Sequence, residues 1–415
     1  MLSGLRIVII GYVWPEPDSS AAGRNMLALL TAMREQDHDI IFMTAATDSP
    51  HKADLRALNV AVESVRLNCD SFNDRMAALQ PDVVVFDRYM TEEQFSWRVR
   101  EVCPAAIRIL NTEDLHSLRQ SRWDAVRRGL HVDQACKNTL LAQREVASIL
   151  RSDLTLVMSS AEYSLLTAYY QVPAAQLLYF PLLHSPKDCL STPSTLPDYE
   201  QRRDFVSIGN FRHAPNWDAV LQLKQHIWPL LRKQVPGSQL RIYGAYPPKK
   251  ATQLHNPTQG FFVEGWADDA EQVISQARVL LAPLRFGAGL KGKLLLAMET
   301  GTPSVTTAIG AEGIADTDKW PGACQDNIDA FVKDAATLYS DKLAWTTAQQ
   351  AGFTCIKAFH PDAHVPLLLS TIQSLVTDPQ THRRPLFLQH LLWHHTLSST
   401  KYMSQWIAAK NQQKL

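Results

Sequence analysis

The loop from Pro283 to Lys293 carries the residue types that most clearly predict chemistry. It follows an apolar, strand-like run at Val279–Ala282 and precedes a helical pattern at about 292–299. Glycines at such a junction let backbone N–H groups and a helix N-terminus approach a phosphate closely. Lys291 and Lys293 add the positive charge that a diphosphate needs. Glycine pairs also serve ordinary turns, but the two lysines at this junction favour phosphate binding.

Two more glycine junctions follow strand-like runs in the same half of the chain. One is Ile208–His213, which contains Gly209, and the other is Ile309–Gly313. Glu312 in the second junction could accept hydrogen bonds from sugar hydroxyls, or it could cap the next helix. The sequence leaves both roles open.

The first half of the chain has small and charged residues at comparable places. Ser20–Arg24 opens a helical pattern after the first strand-like run, and Asp87 and Arg88 follow the run Val83–Phe86. Small residues there allow a ligand close to the helix N-terminus, where Arg24 could neutralise an anionic group. A helix packed on a sheet through its small residues explains the same pattern.

An acidic and imidazole cluster follows the run Ile107–Leu110. Its residues are Glu113, Asp114 and His116. His116 could hydrogen-bond a substrate hydroxyl or polarise a transferred group, with Glu113 or Asp114 setting its tautomer. A metal site is not favoured, because no second histidine lies nearby at ligand spacing. Helix capping by the acidic residues is the alternative.

Alternating strand and helix patterns must position these residues. Strands are predicted at Arg6–Ile10, Ile40–Thr44, Val83–Phe86, Ile107–Leu110, Leu154–Met158, Phe205–Ile208, Leu240–Tyr243, Phe261–Val263, Val279–Ala282 and Ser304–Thr306. This rhythm predicts an α/β fold of two doubly wound, Rossmann-like domains that face each other across a cleft. The predicted segments are a domain at 1–184, a polar linker at 185–203, a domain at 204–375 and a basic amphipathic helical tail at 376–415.

Composition excludes several classes of protein. The 415 residues include 41 Lys+Arg and 41 Asp+Glu, which argues against a protein built to coat nucleic acid. With 46% hydrophobic and 20% charged residues, a folded chain is expected. Six cysteines without a Cys-x-x-Cys pair disfavour a disulfide framework and a zinc ribbon, and they fit a reducing cytoplasm. No apolar run is long enough to predict a membrane span.

The tail has a different composition from the rest of the chain. Residues 379–415 contain no Asp or Glu, yet they carry several basic and large apolar residues. Such a segment could lie on an anionic membrane surface at the inner face of the plasma membrane. It could equally pack back on the first domain.

The motifs taken together resemble a known family. These are the pattern from Ser207 to Ala219, the Gly-x-Gly-x-Lys-x-Lys stretch at 287–293, Ala297-Met298 with Gly301-x-Pro303, and Gly310-Ala-Glu-Gly313. They resemble the C-terminal half of family 4 glycosyltransferases with the GT-B fold, in the Gly-x-Gly-x-Lys branch. The first loop and the segment 112–116 are similar too, so the resemblance covers nearly the whole chain.

This resemblance implies a retaining, metal-independent hexosyltransferase that uses a UDP- or GDP-sugar and no cofactor. Its acceptor would be a glycan or lipid-linked molecule, as in the synthesis of cell-surface polysaccharides and glycoconjugates, and nucleic acid is not an expected partner. Catalytic roles would fall to His116, Arg212 and Lys291. Donor contacts would come from Gly209, Asn210, Gly287, Ala288, Gly289, Lys293, Glu299 and Glu312. Acceptor contacts would come from Ser20, Gly23, Arg24, Asp87, Arg88, Glu113 and Asp114.

One departure from the family pattern concerns the donor ribose. The family commonly has two glutamates eight positions apart, where this chain has Ala288 and Leu296. The second of them normally binds the ribose hydroxyls, and a leucine cannot accept a hydrogen bond. Glu299, one helical turn further on, could substitute. A non-catalytic GT-B protein that binds a partner or glycan is therefore the alternative hypothesis, and a nucleotide-sugar epimerase is a third, less favoured one.

Overall fold

The computed structural model describes residues 4–34, 36–184, 196–395 and 398–412. Most of the predicted linker, 185–195, lies outside the described residues. The strands are β1 Arg6–Gly11, β2 Asp39–Thr44, β3 Ala61–Ser64, β4 Val83–Asp87, β5 Ile107–Asn111, β6 Leu154–Val157, β7 Leu177–Tyr179, β8 Arg203–Ile208, β9 Leu240–Tyr243, β10 Phe261–Gly265, β11 Ala277–Ala282, β12 Ser304–Thr306 and β13 Gly322–Cys324. All ten predicted strands are therefore confirmed.

The strands form two parallel sheets. One has the order β3-β2-β1-β4-β5-β6-β7, and the other has the order β10-β9-β8-β11-β12-β13. In both sheets the order reverses beside the first strand, which places a crevice at the carboxyl ends of the central strands. The predicted α/β fold of two doubly wound sheets is confirmed.

Helices cover both faces of each sheet. The N-terminal ones are α1 Ala21–Arg34, α2 Ser71–Leu79, α3 Arg88–Val102, α4 His116–Arg127, α5 Leu140–Arg151 and α6 Ser160–Ala168. The next are α7 Ala214–Gln222, α8 Trp228–Gln234, α9 Lys249–Thr252, α10 Ala270–Gln276, α11 Gly292–Glu299, α12 Ala308–Ala311, α13 Ile328–Ser340 and α14 Lys342–Cys355. The last are α15 Pro361–Thr377, α16 Pro379–Arg383, α17 Phe387–His395 and α18 Ser398–Gln412.

The apolar strands explain this double cover. In β1, Ile7 and Ile9 pack into one hydrophobic cluster, whereas Val8 and Ile10 pack into another on the opposite face. Successive side chains of a strand point to opposite faces, so a continuous apolar run needs helices on both sides. The same alternation holds in β8, where Phe205 and Val206 lie in different clusters.

The chain returns to the N-terminal domain after α14. Leu368, Ile372 and Leu375 of α15 are buried in the cluster that covers one face of the first sheet. The boundary predicted at residue 375 therefore falls inside a helix that packs on the N-terminal core. In the tail, Arg383 donates hydrogen bonds to Asp153 beside β6. Of the two roles left open for the tail, packing on the first domain is observed for its described residues.

No helix among the described residues is long and apolar enough to cross a bilayer.

Candidate active site

The candidate site lies where the carboxyl ends of the two sheets meet. Among the contacts that join the two domains across this cleft, three link side chains or loops directly at its centre. The Tyr246 hydroxyl donates to Glu16 Oε2 at 3.0 Å, the Gly289 N–H donates to Glu162 Oε1 at 2.7 Å, and Arg122 pairs with Glu312. Each contact links a loop or helix that follows a strand of one sheet to its counterpart in the other.

The predicted phosphate loop is closely packed against the N-terminal domain. Gly289 has a φ of +62°, and a Cβ added to it would lie 2.7 Å from the Cβ of Asp114. Only glycine fits such a backbone conformation and approach without strain. The loop therefore brings its backbone directly against the cluster that follows β5.

Lys291 and Lys293 lie at the start of α11. The Lys291 ammonium donates to the Gly289 carbonyl at 2.7 Å, and the Lys293 ammonium donates to Asn216 Oδ1 at 2.8 Å. Within the described part of the chain, neither ammonium group forms an ion pair with a carboxylate. Burial lowers the pKa of Lys293 to about 8 and also lowers that of Lys291. Desolvated cations of this kind are stabilised by an anionic ligand.

Gly209 brings the junction after β8 to the same place. A Cβ at Gly209 would lie 2.8 Å from the Lys293 ammonium and 2.6 Å from the Asn216 side chain. The neighbouring Asn210 accepts a hydrogen bond from the Arg212 N–H, and the Arg212 guanidinium lies over the Tyr246 ring at 3.7 Å. The structure thus joins the predicted residues of two glycine junctions, and it adds Asn216, which the motif analysis did not assign.

The cluster after β5 holds a neutral histidine beside an ionised aspartate. His116 Nε2 lies 3.3 Å from Asp114 Oδ1, and burial lowers the pKa of His116 to about 4. Although burial opposes ionisation of Asp114, the Arg119 guanidinium and His116 lower its pKa to about 2. Of the two carboxylates proposed to orient His116, Asp114 is the one that lies beside its imidazole.

Glu113 has a different environment from Asp114. It adopts a φ of +61°, and its Oε1 accepts hydrogen bonds from Asn111 at 2.8 Å and Asn25 at 3.0 Å. Burial and the nearby Asp87 raise the pKa of Glu113 to about 8. Glu113 is therefore held within the N-terminal domain by two amide groups.

Glu162 of α6 connects the two loops that converge in the cleft. Its Oε1 accepts hydrogen bonds from the Leu115 N–H at 3.1 Å and the Gly289 N–H at 2.7 Å. Its Oε2 is buried and has no hydrogen-bond partner in the described part of the protein. Burial, with Asp114 nearby, raises the pKa of Glu162 to about 8. Sequence reasoning missed Glu162, because an acidic residue in the first turn of a helix is a common cap.

Arg122 and Glu312 form a bidentate pair between the domains. The two hydrogen bonds measure 2.7 and 2.6 Å, and Arg122 also donates to the Gly287 carbonyl at 2.8 Å. Both residues line an interdomain cavity of about 1300 Å³, together with Ser160 and Thr307. The Glu312 carboxylate is thus engaged by an arginine that the sequence analysis did not single out.

The predicted acceptor residues at the start of α1 are engaged in local hydrogen bonds. Ser20 Oγ accepts from the Gly23 N–H at 3.1 Å, and Arg24 Nε donates to the Pro17 carbonyl at 3.0 Å. A Cβ at Gly23 would lie 2.2 Å from the Glu16 carbonyl oxygen, so glycine is required there.

Asp87 and Arg88 lie at the carboxyl end of β4. Asp87 Oδ2 accepts from the Tyr12 N–H at 3.1 Å, and its buried Oδ1 has no hydrogen-bond partner among the described residues but lies 3.9 Å from Arg88 Nε. Burial raises the pKa of Asp87, and Arg88 has a φ of +71°.

Leu296 and Glu299 lie on α11 with different surroundings. Leu296 is 4% exposed and packs within an apolar cluster, as does Ala288 in a neighbouring cluster. The Glu299 carboxylate lies 2.7 Å from Nδ1 of His184. Glu299 is therefore paired with an imidazole in this structure.

A stacked aromatic pair involves Trp266, the residue that directly follows β10. His51 stacks on Trp266 with ring centroids 4.2 Å apart and an interplanar angle of 16°. His51 comes from the N-terminal domain, so this is a further contact between the two halves. The part of the chain that the structure describes contains no group of three or more His, Cys, Asp or Glu residues able to hold a metal ion.

Comparison with known proteins agrees with this architecture. Residues 202–341 match the family model described as glycosyl transferases group 1. Sucrose-phosphate synthase from Thermosynechococcus elongatus has a TM-score of 0.66 and 16% identity, over 90% of this chain and 99% of that one. Anabaena HepE in complex with UDP-glucose has a TM-score of 0.65 and 11% identity, over 89% of this chain and 100% of that one. A mutant of TarM from S. aureus, in complex with UDP, alpha-GlcNAc-glycerol and fondaparinux, has a TM-score of 0.65 and 8% identity. The match covers 89% of this chain and 99% of that one.

No curated protein matches this chain. The structural likenesses show the GT-B fold, and the family match over residues 202–341 confirms the resemblance of the C-terminal half to glycosyltransferases.

Proposed function

We propose that this GT-B protein, whose C-terminal domain matches the group 1 glycosyltransferases, is a retaining glycosyltransferase. It moves a hexose from a nucleotide-sugar, UDP- or GDP-linked, to a glycan or lipid-linked acceptor in cell-surface glycan synthesis. One observation carries the proposal. Lys291 and Lys293 lie beside a glycine loop at the carboxyl ends of the central strands, and neither is paired with a described carboxylate. A diphosphate supplies a directly bound anion, above all for Lys293, whereas the carboxylates that act on Lys291 do so from beyond ion-pair distance.

The chemistry follows from the charge that develops on the leaving group. When the bond between the sugar and the diphosphate breaks, the diphosphate gains negative charge. Fixed ammonium groups and N–H dipoles stabilise that charge more in the transition state than in the ground state. Lys291, Lys293 and the N-terminus of α11 supply these groups. Because they already provide cationic charge, the proposed reaction does not require a metal ion.

His116 and Asp114 fit a role at the transferred sugar. A neutral imidazole can both donate and accept a hydrogen bond, and the pKa of about 4 keeps His116 neutral at pH 7. Its backbone N–H is fixed by Glu145 Oε1 at 2.9 Å, which holds the start of α4 in place. In the retaining mechanism proposed here, the leaving diphosphate itself assists attack by the acceptor hydroxyl, so no protein nucleophile is needed.

A second candidate function is a non-catalytic GT-B protein that binds a glycan or a partner. Two observations favour it: Leu296 is buried among apolar side chains, and the Glu299 carboxylate is already paired with His184. Leu296 then offers no acceptor for the ribose hydroxyls, and one oxygen of Glu299 is already engaged. Ribose contacts from elsewhere in the cleft are required if the protein is a transferase.

We further propose a peripheral location at the inner face of the plasma membrane. Phe387, Leu391 and Trp406 of the tail are exposed, and residues 379–415 contain no acidic residue. Apolar side chains on a cationic surface favour anionic bilayers. Flotation with anionic vesicles should carry the protein upward, and the double variant Phe387→Ser, Trp406→Ser should float less. Failure of the intact protein to float contradicts this location.

Thermal stabilisation by UDP-, GDP-, ADP- and dTDP-sugars tests the function. A ligand that binds only the folded state raises Tm by an amount set by its concentration relative to Kd. We expect a shift with one donor class, lost in Lys291→Ala but kept in Lys224→Ala. Lys224 is a suitable control because its ammonium donates to the neutral Gln259 side chain at the surface. No shift with any donor at millimolar concentration would favour the non-catalytic alternative.

A further inference from the structure

A second cavity lies between α3 and the tail helices, away from the cleft. Its volume is about 620 Å³, within the range of small-molecule sites. We call it the tail pocket. Its lining includes Trp97, Arg100, Arg108, Arg383, Trp393 and Lys401. Arg108 is the second residue of β5, so the tail pocket lies at the amino-terminal edge of the first sheet, opposite the cleft.

The charges around the tail pocket do not balance. Arg108 and Arg383 share one carboxylate, Asp153, at 3.3 and 2.7 Å. Lys401 is paired with Glu101 at 3.1 Å. Arg100 forms no ion pair within the described residues, so four cations meet two carboxylates. Burial, together with the nearby Arg383 and Arg100, lowers the pKa of Arg108, although Asp153 acts in the opposite direction.

Arg100 is placed to contact a ligand. Its Nη1 donates to the Trp393 carbonyl at 3.2 Å, and its guanidinium lies 5.0 Å from the centre of the Trp393 ring. These contacts hold the side chain while most of its N–H groups stay available. Burial lowers the pKa of Arg100, and no nearby charge offsets this effect. A guanidinium fork of this kind recognises phosphate oxygens well.

Two tryptophans form an apolar wall of the tail pocket. Trp97 and Trp393 pack together, and both are less than 10% exposed. The Trp97 indole N–H is buried and has no hydrogen-bond partner in the described structure. A buried donor without a partner is uncommon and destabilising unless something accepts from it. The tail pocket is therefore lined by Trp97, with its unpartnered indole N–H, as well as by the unpaired Arg100.

From these features we propose that the tail pocket is a binding site for a phosphate-bearing ligand, separate from the nucleotide-sugar cleft. Arg100 supplies the fork that contacts the phosphate, Arg108 and Arg383 supply a buried positive potential, and the tryptophans contact the apolar part of the ligand. The phosphate could belong to a soluble phosphomonoester or to a lipid headgroup.

The test uses the intact protein and three probes. Inorganic phosphate and glycerol 3-phosphate are titrated at constant ionic strength, with Trp fluorescence and calorimetry as readouts. Vesicles of phosphatidylcholine with and without phosphatidylglycerol form the third arm. Arg100→Gln is the test variant, and Arg56→Gln, which alters an exposed arginine elsewhere on the N-terminal domain, is the matched control. Arg100 is a partly desolvated but exposed residue with no ion pair among the described residues, so its substitution should leave the fold intact.

We expect at least one probe to bind, with affinity reduced about tenfold or more in Arg100→Gln and unchanged in Arg56→Gln. Binding of the soluble phosphates assigns a free metabolite, whereas binding only of vesicles that contain phosphatidylglycerol assigns a lipid headgroup. The proposal is overturned if no probe binds, or if Arg100→Gln binds as the unaltered protein does. Donor-induced stabilisation should be the same in both variants, so failure here is distinct from failure of the proposed function.

Discussion

At the scale of single residues, the proposed binding role of the lysines at the start of α11 predicts that they favour donor binding at a cost in stability. Replacing Lys293 by Met keeps the apolar stem and removes an ammonium that burial destabilises. We expect Lys293→Met to have a Tm equal to or above that of the unaltered protein, and to bind the donor at least about tenfold more weakly, because a charge-assisted hydrogen bond is lost. Scanning calorimetry with and without donor measures both effects.

Lys224→Met is the matched control for this variant, since its ammonium also donates to a side-chain amide oxygen. Donor binding should be unaffected by it. If Lys293→Met binds the donor normally, Lys293 is not part of the phosphate site.

Glu162 predicts a pH dependence of stability. Its folded-state pKa of about 8 lies above the ordinary value of 4.5, so the folded state binds more protons than the unfolded state between these values. Its contribution to the free energy of unfolding is therefore fully present below pH 4.5, and it is lost as pH rises toward 8. Glu162→Gln should remove a decline of up to about 1.4 kcal/mol per pH unit.

Denaturant unfolding between pH 6.5 and 8 tests this expectation through the difference in slope between Glu162→Gln and the unaltered protein. His116 and His213, whose pKa values of about 4 in the folded state return to about 6.5 on unfolding, contribute equally to both slopes. Glu200→Gln, which alters an exposed carboxylate paired with Lys342, is the control. An unchanged slope in Glu162→Gln contradicts the assignment.

Individual site residues could be predicted from sequence only where type and position agree. Lys291, Lys293 and Gly209 follow strands in recognisable motifs, and the structure brings them together. Glu162 and Arg122 act through contacts with residues more than 120 positions away, Gly289 and Glu312. Helical spacing carries no information about such a partner. The sequence therefore predicted which loops form the candidate site, whereas the contacts between the domains could be identified only from the structure.

At the scale of elements, the long apolar strands were predictable from the sequence, but short strands at the sheet edges were not. β3, β7 and β13, which were not among the predicted strands, lie at the edges of the two sheets, and each has only three or four residues. An edge strand is buried less and needs fewer apolar residues, so its periodicity is weak. The position of α15 was also hidden, because an amphipathic pattern shows that a helix has a buried face but not which sheet covers it.

The position of α15 leads to a stability prediction. Leu368 is fully buried in the core of the first sheet, whereas its neighbour Leu367 is 55% exposed. Leu368→Ala should lower the free energy of unfolding by about 2–5 kcal/mol, because it leaves a cavity among packed side chains. Leu367→Ala should change it by less than about 0.5 kcal/mol. Chemical denaturation followed by circular dichroism compares the two, and equal effects would contradict the packing of α15.

At the scale of the whole molecule, the closed cleft depends on a few polar contacts between domains. Arg122 joins Glu312 and the Gly287 carbonyl, and so ties α4 directly to the phosphate loop. Removing it leaves the Glu312 carboxylate, 22% exposed, without this partner. The cost of about 1–3 kcal/mol falls on the closed arrangement alone, because an open cleft hydrates both groups.

Arg122→Ala should therefore shift the population toward an open cleft by about tenfold or more, with a larger radius of gyration in small-angle scattering without donor. Donor should restore the closed value, because Lys291 and Lys293 on one side and His116 on the other contact the same molecule in the proposed complex. Arg128→Ala, at the exposed end of α4, should scatter as the unaltered protein does. If Arg122→Ala scatters identically too, the remaining interdomain contacts suffice for closure, and the pair serves only to orient the phosphate loop.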